Sequence, residues 1–156
     1  MIALQFSTHT GLASLAIRSF TRGWVTHVDC VLPDGRLYGA RMHGGVQARL
    51  PDYTKFKQTK ILYLQTTREQ ENAFYSFLDA QLGKPYDWTA IFAFVVNRDW
   101  REDDSWFCSE LIIAALEFAK IIRKLSTSSN RVTPEMGMFM ISAICIDPPG
   151  FVEAVF

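Results

Sequence analysis

One cysteine and one histidine in this chain are of types and in settings that could support nucleophilic catalysis. Cys108 lies where the polar residues 103–105 give way to an apolar run that continues to residue 116. Asp104 or Ser105 could cap a helix there, which would put the thiol in its first turn. The positive end of a helix dipole stabilises a thiolate, so a nucleophilic Cys108 is expected to have a lowered pKa. The alternative is a cysteine that is packed in the core and inert.

Thiol chemistry also needs a base and a group that orients the base. His27 is the best candidate base, because it lies within a predicted strand that would fix its position. Asp29 shares the same strand face by the period of two and could orient the imidazole, as could His43. The first backbone N–H groups of the Cys108 helix would offer an oxyanion site. Alternatively, His27 is a partly buried polar residue whose hydrogen bonds are made by backbone groups.

Other kinds of site have little support in the sequence. His9, His27 and His43 are the only histidines, and they form neither an HxH nor an HExxH pattern. We assign His9 to a solvated loop. Three cysteines without a CxxC pair argue against a disulfide framework and a zinc site, so no metal or cofactor is expected. Charges balance at 16 against 16, and no glycine-rich phosphate loop or basic stripe is present, so no nucleic-acid partner is expected.

The elements that would position these residues follow from periodicity and turn signals. The clearest is a hairpin, in which strands at 24–32 and 36–40 flank the turn Pro33-Asp34-Gly35. Further strands are predicted at 2–7, 46–50, 60–65 and the C-terminus, with helices at 12–20, 68–82, 88–96, from 107 and from 134. Together they predict a single α+β domain over 1–156, with a mostly antiparallel central sheet packed against helices.

Length and composition are consistent with that single domain. The chain has 156 residues, of which 49% are hydrophobic, enough for a core without disulfides. Residues 1–7 contain no basic region and no long apolar run, so neither a signal peptide nor a membrane span is predicted. These features favour a reducing cytoplasm, with export by another route left open.

Several segments resemble a known family, the circularly permuted NlpC-type papain-like cysteine hydrolases, or YiiX-like amidases. The run WVTHVDCVL at 24–32 is similar to that family's "ysHvelvl" strand, and YGA at 38–40 with GGV at 44–46 resembles its next strand and glycine turn. GKPYDW at 83–88 resembles its G-x-P-Y-D segment, and WFCSEL at 106–111 resembles its FCSEL nucleophile helix. The histidine precedes the cysteine, which is the reverse of the order in ordinary papain-like enzymes.

The resemblance implies a papain-like core with Cys108 as nucleophile and His27 as base. Tyr86, Trp106 and Ser109 lie in the matching segments, and we assign them to substrate binding. The family's third polar residue is usually a glutamate on the strand that follows the histidine.

The place of that glutamate falls near Gly39, which cannot serve in this role. His43, as the first choice, or Asp29 would then replace it, unless a backbone carbonyl or a water does. The expected function is hydrolysis of an amide or ester in a peptide, a peptidoglycan-like or a lipid substrate. The alternatives are a lipid acyltransferase or thioesterase of the same fold, or a binding module that has lost turnover. No integral membrane segment is expected.

Overall fold

Five strands and four helices make up the part of the chain that the computed structural model describes, residues 1–10, 12–86, 106–126 and 132–148. In chain order they are β1 (Ile2–His9), α1 (Leu12–Thr21), β2 (His27–Val31), β3 (Leu37–Arg41), β4 (Gly45–Arg49), β5 (Phe56–Leu64), α2 (Arg68–Ala80), α3 (Cys108–Phe118) and α4 (Pro134–Ser142). None of these helices is long and apolar enough to span a membrane.

The strands form one antiparallel sheet in the order β4-β3-β2-β1-β5. β1 is paired on both sides, with β2 from Ala3↔Val31 to Ser7↔His27 and with β5 from Ile2↔Leu64 to His9↔Phe56. This architecture confirms the prediction of an α+β fold with a mostly antiparallel sheet. It also brings the end of β1 beside the start of β2, where His27 lies.

The predicted hairpin between β2 and β3 is present. Gly35 adopts a φ of +85°, the left-handed conformation for which the turn signal selects glycine. The registered ladder between the two strands covers two pairs, Cys30↔Tyr38 and Val31↔Leu37. This registered ladder ends before His27.

Helices cover one face of the sheet. Tyr38 on β3 donates a hydrogen bond from its hydroxyl to the backbone oxygen of Leu78 in α2, at 3.0 Å. A Cβ added to Gly137 in α4 would lie 4.0 Å from the ring of Phe6 on β1, an ordinary packing distance. α3 packs against α2, β2 and β3. The hydrophobic core therefore lies between this face and the three helices α2, α3 and α4.

His27 and Asp29 project from the opposite face. Val28 is registered with Phe6 and so shares the helix-covered face, and side chains alternate along a strand. Both residues are nevertheless buried, because the connection between β4 and β5 brings Tyr53 onto the carboxylate of Asp29. The sheet thus separates a polar cluster from the apolar core.

The outer strands of the sheet are covered by irregular chain. The backbone N–H of Val46 in β4 donates to Lys84 O, and Gly83 N–H donates back to Val46 O, each at 2.9 Å. On the other edge, Ile146 N–H donates to Tyr63 O in β5 at 2.8 Å. Both edge strands therefore have backbone partners outside the sheet.

The segment that covers β4 also approaches α3. A Cβ on Gly45 would overlap the carbonyl oxygen of Lys84, so this position needs glycine, which also adopts a φ of +61° here. Trp106 N–H then donates to Pro85 O at 3.0 Å, two residues before Cys108. The glycine pair at 44–45 and the GKPY segment are thus parts of one backbone contact that fixes the entry to α3.

Several predicted boundaries are wrong, and strand pairing explains two of them. His9 was assigned to a loop, but it ends β1, because pairing with β5 continues to Phe56. β5 begins at Phe56 rather than at residue 60. Its first residues are exposed and polar, so no apolar pattern marks them as part of a strand. The helix predicted to end at 82 ends at Ala80. The predicted helix at 88–96 and the terminal strand lie outside the described residues.

The start of α3 has a different cap from the one predicted. Asp104 and Ser105 lie outside the described residues, and the N-cap position is Phe107, whose side chain has no acceptor atom. The carboxylate of Glu110 accepts from the Phe107 N–H at 3.5 Å instead. Cys108 is therefore the first residue of the helix, close to its positive end as predicted.

Candidate active site

A buried histidine and aspartate lie side by side on β2. His27 is 5% exposed and Asp29 is 1% exposed. Nε2 of His27 lies 2.9 Å from Oδ1 of Asp29, and the Tyr53 hydroxyl donates to Oδ2 of the same carboxylate at 3.0 Å. The carboxylate is thus held from two sides and can orient the imidazole.

Gly39 leaves room for this carboxylate. A Cβ built on Gly39 would overlap Oδ1 of Asp29, so the acid on β2 occupies the volume that a side chain on β3 would need. The place that the resemblance gives to a glutamate falls near this glycine. Of the two proposed third residues, the structure brings Asp29 into contact with His27, whereas His43 lies in the wall of the nearby cavity.

Arg41 lies between His27 and His9. Its Nε is 3.1 Å from His27 Nε2, and its Nη2 hydrogen bonds to His9 Nε2. The two imidazole centroids are 5.4 Å apart, and the guanidinium carbon lies 4.3 Å from the centroid of the Tyr53 ring. No pattern in the sequence marks Arg41, Tyr53 or His9 as a member of this cluster.

The hydrogen bonds of His27 indicate which nitrogen carries its proton. Nε2 can donate to Asp29 or accept from Arg41, but a single nitrogen cannot do both. We assign the proton to Nε2, because the carboxylate of Asp29 is the stronger partner for an N–H. Nδ1 is then the basic nitrogen of the neutral ring.

Burial and neighbouring charges set the ionisation of the cluster. Burial, opposed by Asp29 and reinforced by Arg41, lowers the pKa of His27 below its ordinary value. Burial, together with the charges of Arg41 and His27, lowers the pKa of His9 to about 3. Burial alone would raise the pKa of Asp29, but the charge and hydrogen bond of His27, with Arg41 and Tyr53, bring it below its ordinary value. At neutral pH both imidazoles are therefore neutral and Asp29 is ionised.

These pKa values predict that acid destabilises the fold. Below the ordinary histidine pKa of 6.5, the unfolded chain binds protons that the buried imidazoles do not, so the free energy of unfolding falls as the pH falls towards 3. Urea titrations at about pH 5 and about pH 7.5 measure this slope, and His9→Gln is expected to take up about one proton fewer on unfolding. A slope that His9→Gln leaves unchanged would contradict the lowered pKa of His9.

Cys108 is buried at the start of α3, with 0% of its surface exposed. The backbone N–H of Val28, the residue between His27 and Asp29, lies on the side of its sulfur and favours the thiolate. Burial raises the pKa of Cys108 to about 12, although the N–H groups of Val28 and Ser109 favour the thiolate. The expectation of a lowered pKa is wrong, because the loss of hydration outweighs the helix dipole.

Cys108, at the start of α3, lies near the backbone of β2. It is not hydrogen bonded to His27 in the described structure. The ring of His27 bonds to Asp29 and Arg41, and no hydrogen bond of the described residues joins it to the sulfur of Cys108. His27 projects from the face of the sheet opposite to α3. The thiol and the imidazole are therefore neighbours through the backbone of Val28.

A cavity of about 500 Å³ opens beside His27. Its lining comes from the end of β1, α1, the start of β2, the turn after β3, the end of β4 and the 53–54 region, with Tyr86: His9, Thr10, Ser14, Ile17, Thr26, His27, Arg41, Met42, His43, Arg49, Tyr53, Thr54 and Tyr86. Its size is that of a site for a small organic ligand. Cys108 is not part of this lining.

The three residues predicted to bind substrate have different surroundings. Tyr86 borders the cavity, and its ring centroid lies 5.8 Å from that of Phe107. Trp106 donates from Nε1 to the side-chain oxygen of Gln81 at 3.1 Å, and the Ser109 hydroxyl donates to Val132 O. The structure thus brings Tyr86 to the cavity, while Trp106 and Ser109 are bound to neighbouring elements.

The described ranges offer no set of residues that fits a metal ion. They contain no group of three or more His, Cys, Asp and Glu side chains placed to hold one. The nearest candidates are His9 and His27, but Arg41 hydrogen bonds to the Nε2 atom of both rings. The guanidinium thus lies at the Nε2 edge of each imidazole.

Comparison with known proteins gives a likeness of fold. No protein-family model matches the sequence, and no curated protein is similar to it in sequence. A solved structure, described as the metalloprotein YiiX from Escherichia coli O157:H7 (DUF1105), matches with a TM-score of 0.61 at 20% identity. The match covers 78% of this chain and 66% of that one. The chain is thus similar in fold to YiiX of Escherichia coli O157:H7.

Proposed function

We propose that this protein is a cysteine hydrolase, in which an amide or ester substrate acylates Cys108 and His27 accepts the thiol proton. One observation carries the proposal: the backbone N–H of Val28, which lies between the paired residues His27 and Asp29, favours the thiolate form of Cys108 at the start of α3. The nucleophile thus lies at the start of α3, and the base and the orienting acid lie on β2, which packs against α3. The resemblance to the permuted NlpC-type family supports the same roles for Cys108 and His27.

The reaction begins from a neutral pair. A thiol of pKa about 12 is ionised to only about one part in 10⁵ at pH 7, so a base must remove its proton as the sulfur attacks. Nδ1 of His27 takes that proton, and Asp29 stabilises the imidazolium that forms. This step requires Nδ1 to reach the sulfur of Cys108, while Nε2 keeps its contact with Asp29. Backbone N–H groups at the start of α3 stabilise the oxyanion.

The acyl-enzyme is a thioester on Cys108. As it forms, the bond between the carbonyl carbon and the leaving group breaks, and the imidazolium of His27 gives its proton to that group. Water then attacks the thioester, the acid is released, and the thiol of Cys108 is regenerated. The substrates we propose are amides or esters of peptides, of peptidoglycan-like compounds or of lipids. A lipid acyltransferase or thioesterase of the same fold would form the same acyl-enzyme.

Acylation with p-nitrophenyl esters tests the proposal. Intact-mass measurement is expected to detect one added acyl group, and peptide mapping is expected to locate it on Cys108. Cys30→Ala is the matched control, because Cys30 is also buried and burial likewise raises its pKa to about 12. Cys30→Ala should be acylated as the parent protein is, and Cys108→Ala should not. Acylation that persists in Cys108→Ala would refute the proposal.

A second candidate is a binding module with the same fold and no turnover. It is favoured by the absence of Cys108 from the cavity lining and by the lack of a hydrogen bond from Cys108 to His27. Under this alternative the cavity binds its ligand and Cys108 remains a core residue. An unacylated Cys108, in a protein that still binds ligand in the cavity, would support it.

A further inference from the structure

We infer that the cavity beside His27 binds the carboxylate or phosphate group of an organic ligand, and that Arg41 is its principal contact. This inference names the substrate class of the proposed hydrolase and rests on that proposal only in treating the cavity as the substrate pocket. The ligand it requires is an acyl compound with an anionic group and an apolar part.

Apart from two tyrosines, the ionisable side chains that line the cavity are all basic. They are the basic residues His9, His27, Arg41, His43 and Arg49, and no Asp or Glu of the described ranges joins them. The nearest carboxylate, that of Asp29, is buried and is bound to His27 and Tyr53. Because His9 and His27 are neutral at neutral pH, the positive charges that the cavity presents to an entering ligand are those of Arg41 and Arg49.

Arg41 carries a positive charge that no described carboxylate contacts. The ion pairs of the described residues join other groups, and the hydrogen-bond partners of Arg41 are the rings of His9 and His27. Nη2 is used by His9 and Nε only approaches the protonated Nε2 of His27, while Nη1 has no partner among the described residues. A half-buried guanidinium whose N–H groups find no partner in the described part of the chain favours an anion beside it.

Arg49 lines the same cavity, but its guanidinium is hydrogen bonded to the backbone. Its guanidinium donates to four backbone oxygens around the β3–β4 turn, those of Gly39, His43, Gly45 and Gln47. Its N–H groups are thus committed to the fold, and it contributes charge more than contacts. This difference singles out Arg41 as the residue that meets the ligand.

The rest of the cavity fits the uncharged part of such a ligand. Ile17, Met42 and Tyr86 contribute apolar surface, and the hydroxyls of Ser14 and Thr26 hydrogen bond to each other at 3.1 Å. A volume of about 500 Å³ is far larger than an isolated carboxylate or phosphate needs. The ligand is therefore an organic molecule whose anionic end lies against Arg41.

Calorimetric titration with a series of eight-carbon ligands tests the inference. Octanoate and octyl phosphate are expected to bind about tenfold or more tightly than octanol and octylamine, since a charged hydrogen bond to Arg41 distinguishes them. The stronger of the two anions identifies the ligand as a carboxylate or a phosphate. Equal binding of octanol or octylamine, or no binding of either anion, would overturn the inference.

Two substitutions of arginine provide a matched comparison. Arg41→Gln is expected to weaken binding of the preferred anion by about tenfold or more. Arg36→Gln should leave it unchanged, because Arg36 is exposed and paired with Asp34 in the β2–β3 turn. Equal effects of the two substitutions would refute the role of Arg41. If Arg41→Gln does not fold, the ligand series on the unaltered protein decides.

The same titrations on Cys108→Ala, together with the acylation test on the unaltered protein, separate this inference from the proposed function. Anion-selective binding by a protein whose Cys108 is never acylated would uphold the inference and refute the hydrolase. Acylation of Cys108 by neutral and anionic esters at equal efficiency, without anion-selective binding, would uphold the hydrolase and refute the inference.

Discussion

His27→Gln is expected to slow acylation of Cys108 by about 10²- to 10⁴-fold at neutral pH, the usual contribution of a general base. The effect should lie at the upper end of that range, because burial raises the pKa of the thiol to about 12 and leaves almost no thiolate to react unaided. The burst of p-nitrophenolate in stopped-flow mixing measures the acylation rate. A rate that is unchanged in His27→Gln would exclude His27 as the base.

The third catalytic group is distinguished by a pair of further variants. Asp29→Asn keeps the size of the side chain but removes the charge that stabilises the imidazolium, so acylation should slow by about tenfold or more. His43→Gln alters a residue of the cavity wall that makes no hydrogen bond to His27 in the described structure, so acylation should slow much less than in Asp29→Asn. The opposite result would return His43 to the role that the sequence first suggested.

Gly39→Ala is expected to destabilise the protein by about 1–3 kcal/mol, the cost of disrupting the buried hydrogen bonds of a charged group. The new Cβ would overlap Oδ1 of Asp29, and the carboxylate can move away only by weakening its bonds to His27 and Tyr53. Urea denaturation at pH 7 measures the change in the free energy of unfolding. Acylation of Cys108 should slow in the same variant, because the acid no longer orients His27.

The control for Gly39→Ala is the same substitution elsewhere in the core. A Cβ on Gly137 in α4 would meet Val132 and Phe6 at 3.9 and 4.0 Å, and alanine is the better helix former by about 1 kcal/mol. Gly137→Ala should therefore be neutral or stabilising. In an Asp29→Ala background, Gly39→Ala should lose most of its cost. If it keeps that cost, the overlap with the carboxylate is not the cause.

Features that depend on neighbouring residues were predictable from the sequence. The hairpin turn at Pro33-Asp34-Gly35 is one, and the caps at Thr67 and Thr133 are others, since both hydroxyls accept from a backbone N–H three residues on. These signals operate within a few residues, so long-range packing does not alter them.

The members of the polar cluster depend on contacts between distant parts of the chain. His9 approaches His27 because β1 pairs with β2, and Tyr53 reaches Asp29 because the chain folds back after β4. No local pattern marks either residue. Arg41 could have been found, because continuing the register of the hairpin three residues beyond Cys30↔Tyr38 puts it opposite His27.

The pKa of Cys108 could not have been predicted from its place in the helix. The sequence indicates a helix start, and the structure places Cys108 there. The sequence does not indicate that the first turn of α3 is packed under the sheet, where the sulfur of Cys108 has no contact with solvent. Burial then decides the sign of the shift in pKa.

The covered edges of the sheet bear on how the protein behaves at high concentration. Free strand edges recruit extended segments of other molecules and so lead to aggregation. Here Val46 on β4 already pairs with the 83–84 segment, and Tyr63 on β5 pairs with Ile146. The exposed residues Lys57 and Lys60 add charge along β5. A second copy or an extended peptide therefore cannot add as a further strand at Val46 or Tyr63 without first displacing the chain's own backbone.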